Sequence, residues 1–237
     1  MAGRTLIAAL ILAAFSCLGL AQTPNPEPKY AEPPVPIITF DFVLEGGTPP
    51  HYAIAVQTHG KASYRADEVP AADKAPLQPY FYLFLITEPT RLRIFELTRA
   101  LNYFQGDFEY HGGRIANMGI KTLTFKEGSR ESHTSFNYTT NPRLQELTVI
   151  FQNMSNTLEY GRRLEYLHRF DKLGLEAELK SMEEAAKSKQ LGELQVIAPM
   201  LQRLLDDSGV INVTRRRAEH LLQMIKSDPA ARAAAPE

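Results

Sequence analysis

Residues 37–44 have the sequence IITFDFVL, and residues 51–58 have the sequence HYAIAVQT. In both stretches large apolar side chains alternate with small or polar ones, which is the period of a strand with one buried face. The side chains that share this face are Phe40, Phe42, Leu44, Tyr52, Ile54 and Val56. The Gly- and Pro-rich residues 46–50 separate the two stretches, so we expect neighbouring antiparallel strands joined by a short loop.

The same pattern continues along the chain. His59-Gly60 is a turn signal, and residues 62–65 fit the return strand of a hairpin. Residues 80–86 form a seven-residue apolar run that we expect to be a central, buried strand. Residues 119–125 and 133–138 predict a second hairpin around a polar turn. Short connections between these strands predict an antiparallel sheet.

Two helices accompany the predicted sheet. Thr87-Glu88-Pro89 has a capping hydroxyl and a first-turn proline, and Asn141-Pro142 begins a longer helix in the same way. In the longer helix, Glu159/Arg163 and Glu165/Arg169 have the i,i+4 spacing of ion pairs on a solvated face. With both helices on one face of the sheet, the chain is expected to adopt an α+β fold.

The rest of the chain divides by composition. We expect an α+β domain at residues 37–171, a helical tail at residues 172–227 and a disordered C-terminus at residues 228–237. The tail contains too many leucine and isoleucine side chains for solvated helices. It is therefore expected to dock on the α+β domain or on a second copy of the chain, which would make a homodimer.

Residues 1–21 have the layout of a secretory signal peptide, with one arginine, an apolar stretch and small residues before Ala21. Two alternatives are an uncleaved anchor and a lipoprotein processed at Cys17, whose surroundings loosely fit a lipobox. The Pro-rich residues 22–36 predict an extended tether. The sequence thus predicts export to the periplasm or the extracellular space, with no membrane span after cleavage.

The charge balance, the cysteine count and the absence of several known motifs exclude a number of protein functions. The 237-residue chain carries 26 basic and 27 acidic residues, so no nucleic-acid partner is expected. Its single cysteine, Cys17, excludes a disulfide framework and a cysteine-based metal site. Motifs of zinc proteases, serine hydrolases, dinucleotide binding and thiol redox chemistry do not occur, so no cofactor is predicted. Residues 113–122 resemble a phosphate loop only superficially, because five residues separate the two glycines.

One constellation of metal-ligand types stands out. If residues 107–111 form a strand, its period of two places Asp107, Glu109 and His111 on one face. Two carboxylates and an imidazole are ligands that zinc or non-haem iron accepts, and His133 or His51 could supply a fourth. The alternative is an exposed strand with polar side chains facing outward.

Five segments carry a resemblance to a known group of proteins: PPHYAIAV, RIFELTRALNYFQGDFEY, KTLTFKEG, LEYGRRLEYLHRFDKLGLEAELK and INVTRRRAEHLL. The stretch that contains them, residues 49–225, resembles uncharacterised exported proteins of acidobacteria, which have no assigned activity. The resemblance implies a bacterial source and a place in the cell envelope. It carries over no catalytic residue.

Two functions therefore compete. The first is a non-catalytic binding or interaction module of the bacterial envelope, whose partner is an unknown protein or envelope ligand. The second is a metal-dependent enzyme that uses Asp107, Glu109 and His111.

Overall fold

The computed structural model describes residues 34–68 and 77–228. The predicted signal peptide, Cys17, most of the Pro-rich tether and residues 229–237 of the predicted disordered end lie outside the described residues. No helix within the described part is long and apolar enough to cross a bilayer.

Six antiparallel strands form one sheet in the order β4-β3-β2-β1-β5-β6. Their bounds are β1 Ile37–Val43, β2 His51–Gln57, β3 Lys61–Ala66, β4 Tyr80–Leu85, β5 Ile120–Glu127 and β6 Arg130–Phe136. The predicted alternation is confirmed in β2, whose residues alternate strictly between buried and half-buried. In β1 it holds for Ile38 and Phe40, which are buried, whereas Phe42 is half-buried and Leu44 lies beyond the end of the strand. Both predicted hairpins are present, with Gly60 and Gly128 in their turns.

The position of β4 corrects the sequence prediction. The apolar run at residues 80–86 was expected at the centre of the sheet, but β4 is an edge strand paired only with β3. Its side chains alternate, so Phe84 points into the core while Phe81 and Leu83 are 63% and 68% exposed. The two central strands are β2, which pairs with β3 and β1, and β1, which pairs with β2 and β5.

Helices α1 (Glu88–Ala100) and α2 (Pro142–Phe170) cover one face of the sheet. The ring of Phe40 in β1 stacks on Phe151 in α2, with centroids 5.1 Å apart and planes 4° apart. Asn141 caps α2 as predicted, since its side-chain oxygen accepts from the amides of Arg143 and Leu144 at 3.0 and 3.3 Å. The α+β fold is thus confirmed.

The tail forms three further helices, α3 (Leu175–Lys187), α4 (Ala198–Asp206) and α5 (Asn212–Ser227), with a short 3₁₀ turn at Leu194–Ile197. Their apolar faces meet in a second core, to which the last half of α2 contributes Leu164. Gly161 lets the tail approach α2 closely, because a Cβ there would lie 2.8 Å from Ile197. The tail therefore packs on α2 of its own chain, and the homodimer stays a prediction.

Candidate functional site

A cleft of about 650 Å³ opens between the loop after β1, the middle of α2 and the end of α3. The loop residues 44–50 form one wall, and α2 together with residues 185–191 forms the other. Such a volume lies within the range of roughly 300–1,000 Å³ that is usual for small-molecule sites. We take this cleft as the candidate site, because its lining combines side-chain amides, charged groups and aromatic rings.

The floor of the cleft contains a buried polar network. Glu159 of α2 is 4% exposed, and its carboxylate accepts a 2.8 Å hydrogen bond from the Tyr64 hydroxyl. The Arg162 guanidinium lies 3.3 Å from the same carboxylate oxygen. Ser155 lies one turn earlier, with its hydroxyl 3.3 Å from that of Tyr64. Burial raises the pKa of Tyr64 and of Tyr52 above the ordinary value for a phenol.

Side-chain amides line the α2 wall. Asn153 and Asn156 donate their side-chain N–H groups to the carbonyls of Lys189 and Gln190, at 3.1 and 3.0 Å. These bonds fix the segment after α3 and leave both amide oxygens available as acceptors. Gln152 and Gln190 also line the cleft, and neither side chain has a hydrogen bond to any described residue. The wall therefore offers both donors and acceptors.

The rim of the cleft joins α2 to α3. Arg163 donates to Glu178 at 2.7 Å, and its guanidinium lies 4.5 Å from the ring centroid of Tyr160. The Tyr160 hydroxyl in turn lies 2.9 Å from the Ser181 hydroxyl. These contacts link α2 to α3 at the rim of the cleft.

The prediction that Glu159/Arg163 and Glu165/Arg169 form ion pairs on a solvated face of α2 was wrong. Glu159 pairs with the buried Arg162, and Arg163 pairs with Glu178 of α3. Glu165 pairs with Arg203 of α4 at 3.1 Å. The expected i,i+4 partners are thus replaced by partners that the fold brings close.

The segment Asp107–His111 is irregular, so the strand considered for these residues is not formed. Asp107 and His111 do lie together, with a 2.8 Å contact between Oδ2 and Nε2. The Glu109 carboxylate instead accepts from the backbone amides of Asn137 and Tyr138, at 2.6 and 3.3 Å. Within residues 34–68 and 77–228, no group of three His, Cys, Asp or Glu side chains is arranged to hold a metal ion.

The two histidines considered as a fourth ligand lie elsewhere. His51 lies between Asp41 and Asp67, at 3.0 and 3.3 Å from its two ring nitrogens. His133 is in β6, opposite Thr124 of β5. Neither is brought to the Asp107–His111 pair by a contact in the described structure.

Lys121, the second residue of β5, is buried against the glycine loop that precedes this strand. The Lys121 ammonium donates to the carbonyls of Met118, Gly119 and Asn137 at 3.0, 2.8 and 2.7 Å. Burial lowers the pKa of Lys121. All three ammonium protons are thus committed to backbone oxygens, so this lysine stabilises the loop.

The cleft residues were not singled out from the sequence. One signal was present: Ser155, Glu159 and Arg162 recur at helical spacing beside the apolar stripe of α2. Polar residues in such positions indicate a buried network on that side of the helix. Tyr64 and the loop after β1 carried no comparable signal, because they join the network only through the fold.

No protein-family model matches this chain, and no curated protein is significantly similar to it in sequence.

Proposed function

We propose that this protein is an exported, non-catalytic binding module of the bacterial cell envelope, and that the cleft between the β1–β2 loop and α2 is its ligand site. One observation carries the proposal. The charged side chains of the cleft are paired within the protein, whereas the amides of Gln152 and Gln190 face it without a described partner. Such a surface is suited to binding a ligand by hydrogen bonds.

The N-terminal sequence supports the location. Residues 1–21 have the features of a signal peptide, and the resemblance to exported acidobacterial proteins agrees with a bacterial envelope. Mass spectrometry of protein from an exporting host is expected to find Gln22 as the first residue. A diacylglyceryl-modified Cys17 at the N-terminus would instead indicate a lipoprotein.

The alternative is a metal-dependent enzyme that uses Asp107, Glu109 and His111. The cleft is favoured because the Glu109 carboxylate is already bound by two backbone amides, so a metal would have to replace those bonds. Metal analysis of purified protein separates the two proposals. Stoichiometric zinc or iron that is lost in Asp107→Ala would support the enzyme.

The cleft can be tested by filling it. Val149 of α2 lines the cleft and is 50% exposed, so Val149→Trp adds bulk there without removing a hydrogen bond. Val213→Trp is the matched control, because Val213 is 46% exposed on α5 and does not line the cleft. Melting temperatures of both variants establish first that each is folded.

The measurement is saturation-transfer NMR with a mixture of neutral oligosaccharides and neutral short peptides. We expect the wild type and Val213→Trp to bind at least one probe, and Val149→Trp to lose that binding. If no probe binds, or if Val149→Trp binds as well as the control, the cleft is not the ligand site.

A further inference from the structure

We propose that the cleft binds an uncharged oligosaccharide. This inference rests on the proposed function, since it names the ligand class of the same cleft. It is carried by three properties of the lining: balanced charge, side-chain amides that both donate and accept hydrogen bonds, and the half-buried aromatic ring of Phe42.

The charge of the lining is balanced internally. Among the described residues that line the cleft, Arg163 is the one cation and Glu159 the one anion. Glu159 is paired with Arg162 at 3.3 Å, and Arg163 is paired with Glu178 at 2.7 Å. A phosphate or carboxylate ligand would have to compete with Glu178 for Arg163, and an ammonium ligand would have to compete with Arg162 for Glu159. A neutral ligand disturbs neither pair.

The hydrogen-bonding groups suit hydroxyls. The primary amides of Gln152 and Gln190 each offer a donor and an acceptor, and the Asn156 amide oxygen adds an acceptor. A sugar hydroxyl also donates and accepts at the same atom, so neighbouring hydroxyls can use both ends of an amide.

The β1 side of the cleft carries an aromatic ring. Phe42 of β1 lines the cleft and is half-buried, whereas Tyr52 of β2, with its ring centroid 5.2 Å away, is only 5% exposed. A pyranose ring carries hydroxyls at its rim and C–H groups on its faces, and these faces pack on aromatic side chains. One side of the cleft therefore matches the faces of a sugar, and the other side matches its rim.

A peptide is the alternative ligand. Extended peptides commonly bind by adding a strand to an open sheet edge. The strands that border the cleft, β1 and β2, are paired on both sides and offer no such edge. The main-chain groups of a peptide could therefore form hydrogen bonds only with the side-chain amides of the cleft. They would not form the continuous backbone ladder that gives strand addition its affinity.

The test is titration calorimetry with four probes: the trimer of N-acetylglucosamine, cellotriose, the anionic trimer of galacturonic acid, and trialanine capped at both ends. We expect at least one neutral trisaccharide to bind, and the anionic trimer and the peptide to bind at least tenfold more weakly. Gln152→Ala should weaken saccharide binding about fivefold to tenfold, as expected for one lost hydrogen bond. The control Gln223→Ala, at an exposed position of α5, should bind like the wild type.

Three results would contradict the saccharide assignment in different ways. Binding of the capped peptide alone, abolished by Val149→Trp, overturns the ligand class and leaves the proposed function standing. Equal affinity for the anionic and neutral trimers overturns the requirement for a neutral ligand. If neither saccharide nor peptide binding changes in Val149→Trp, the proposed function fails, and the inference fails with it.

Discussion

Glu193, in the tail, accepts two hydrogen bonds from Thr87 at the N-terminus of α1, 106 residues earlier in the chain. The Thr87 backbone N–H lies 2.6 Å from one carboxylate oxygen, and its hydroxyl lies 2.9 Å from the other. The sequence predicts that the Thr87 hydroxyl itself caps α1, but this side chain makes no capping bond. The cap is supplied by a carboxylate from the tail, which also suits the positive end of the helix dipole.

Glu193→Ala should therefore destabilise the protein. It leaves the buried Thr87 N–H without its acceptor, and we expect a loss of about 1–3 kcal/mol in the free energy of unfolding. Glu184→Ala is the control, because Glu184 is exposed on α3 and should change stability by less than about 0.5 kcal/mol. Denaturant titrations of both variants measure the difference. Equal midpoints would mean that the tail does not stabilise α1 through this contact.

Arg162 should be far more important for stability than its neighbour Arg163. It bonds to the carboxylate of Glu159 and to the carbonyls of Asp67, Leu77 and Gln78, so Arg162→Met leaves a buried carboxylate unpaired. The expected cost is about 3–5 kcal/mol.

The matched control for this prediction is Arg163→Met. It breaks a partly exposed pair with Glu178 and should cost about 1 kcal/mol or less. The double variant Glu159→Gln/Arg162→Met should recover part of the loss, because it removes the stranded charge. No recovery would show that Arg162 acts only through the backbone carbonyls.

The two faces of β4 should respond differently to truncation. Phe84 points into the core, so Phe84→Ala is expected to cost about 3–5 kcal/mol. Leu83→Ala, one residue away on the exposed face, should cost less than about 1 kcal/mol. Urea midpoints compare the two. A small shift for Phe84→Ala would mean that the edge strand contributes little to the core.

A side chain at Gly119 should destabilise the protein. Its φ is +86°, and a Cβ would lie 2.6 Å from the ring of Phe42. Gly46 has a similar φ of +74°, but its surroundings are open, so Gly46→Ala measures the backbone cost alone, about 1–2 kcal/mol. Gly119→Ala should cost about 1–3 kcal/mol more than this control. Equal costs in thermal unfolding would show that the Phe42 ring yields freely.

The stabilisation from His51 should depend on pH. Its hydrogen bond to Asp41 raises the pKa of His51 above the ordinary 6.5. Because the pKa of His51 is raised in the folded state, its contacts stabilise the folded protein fully below about pH 6.5. This stabilisation is lost as the pH rises through the folded-state pKa. His51→Asn should therefore destabilise more at pH 5.5 than at pH 8.5.

The corresponding control is His59→Asn, since His59 is an exposed turn residue without a side-chain hydrogen bond to any described residue. Comparison with this variant separates the loss of the contacts to Asp41 and Asp67 from the loss of an imidazole as such. NMR titration of the His51 ring protons gives the pKa directly, and a value at or below 6.5 would contradict the prediction.

Local sequence was sufficient wherever a few neighbouring residues set the conformation. The alternation in β1 and β2 places one set of side chains on one face, whatever the rest of the chain does. Asn141 and Pro142 likewise predict the start of α2, because the cap bonds only to amides two and three residues away. These features gave the α+β class and most strand positions from the sequence alone.

Tertiary structure decided the features that depend on distant partners. The run at residues 80–86 suits a central or an edge strand equally well. Because the β5–β6 hairpin pairs with β1 instead of β4, β4 is left at the edge of the sheet. Glu159 has the right spacing to pair with Arg163, yet burial of the helix face under Tyr64 placed it with Arg162. The cleft exists only because residues near 48, 155 and 190 meet, and no local pattern encodes a contact across such separations.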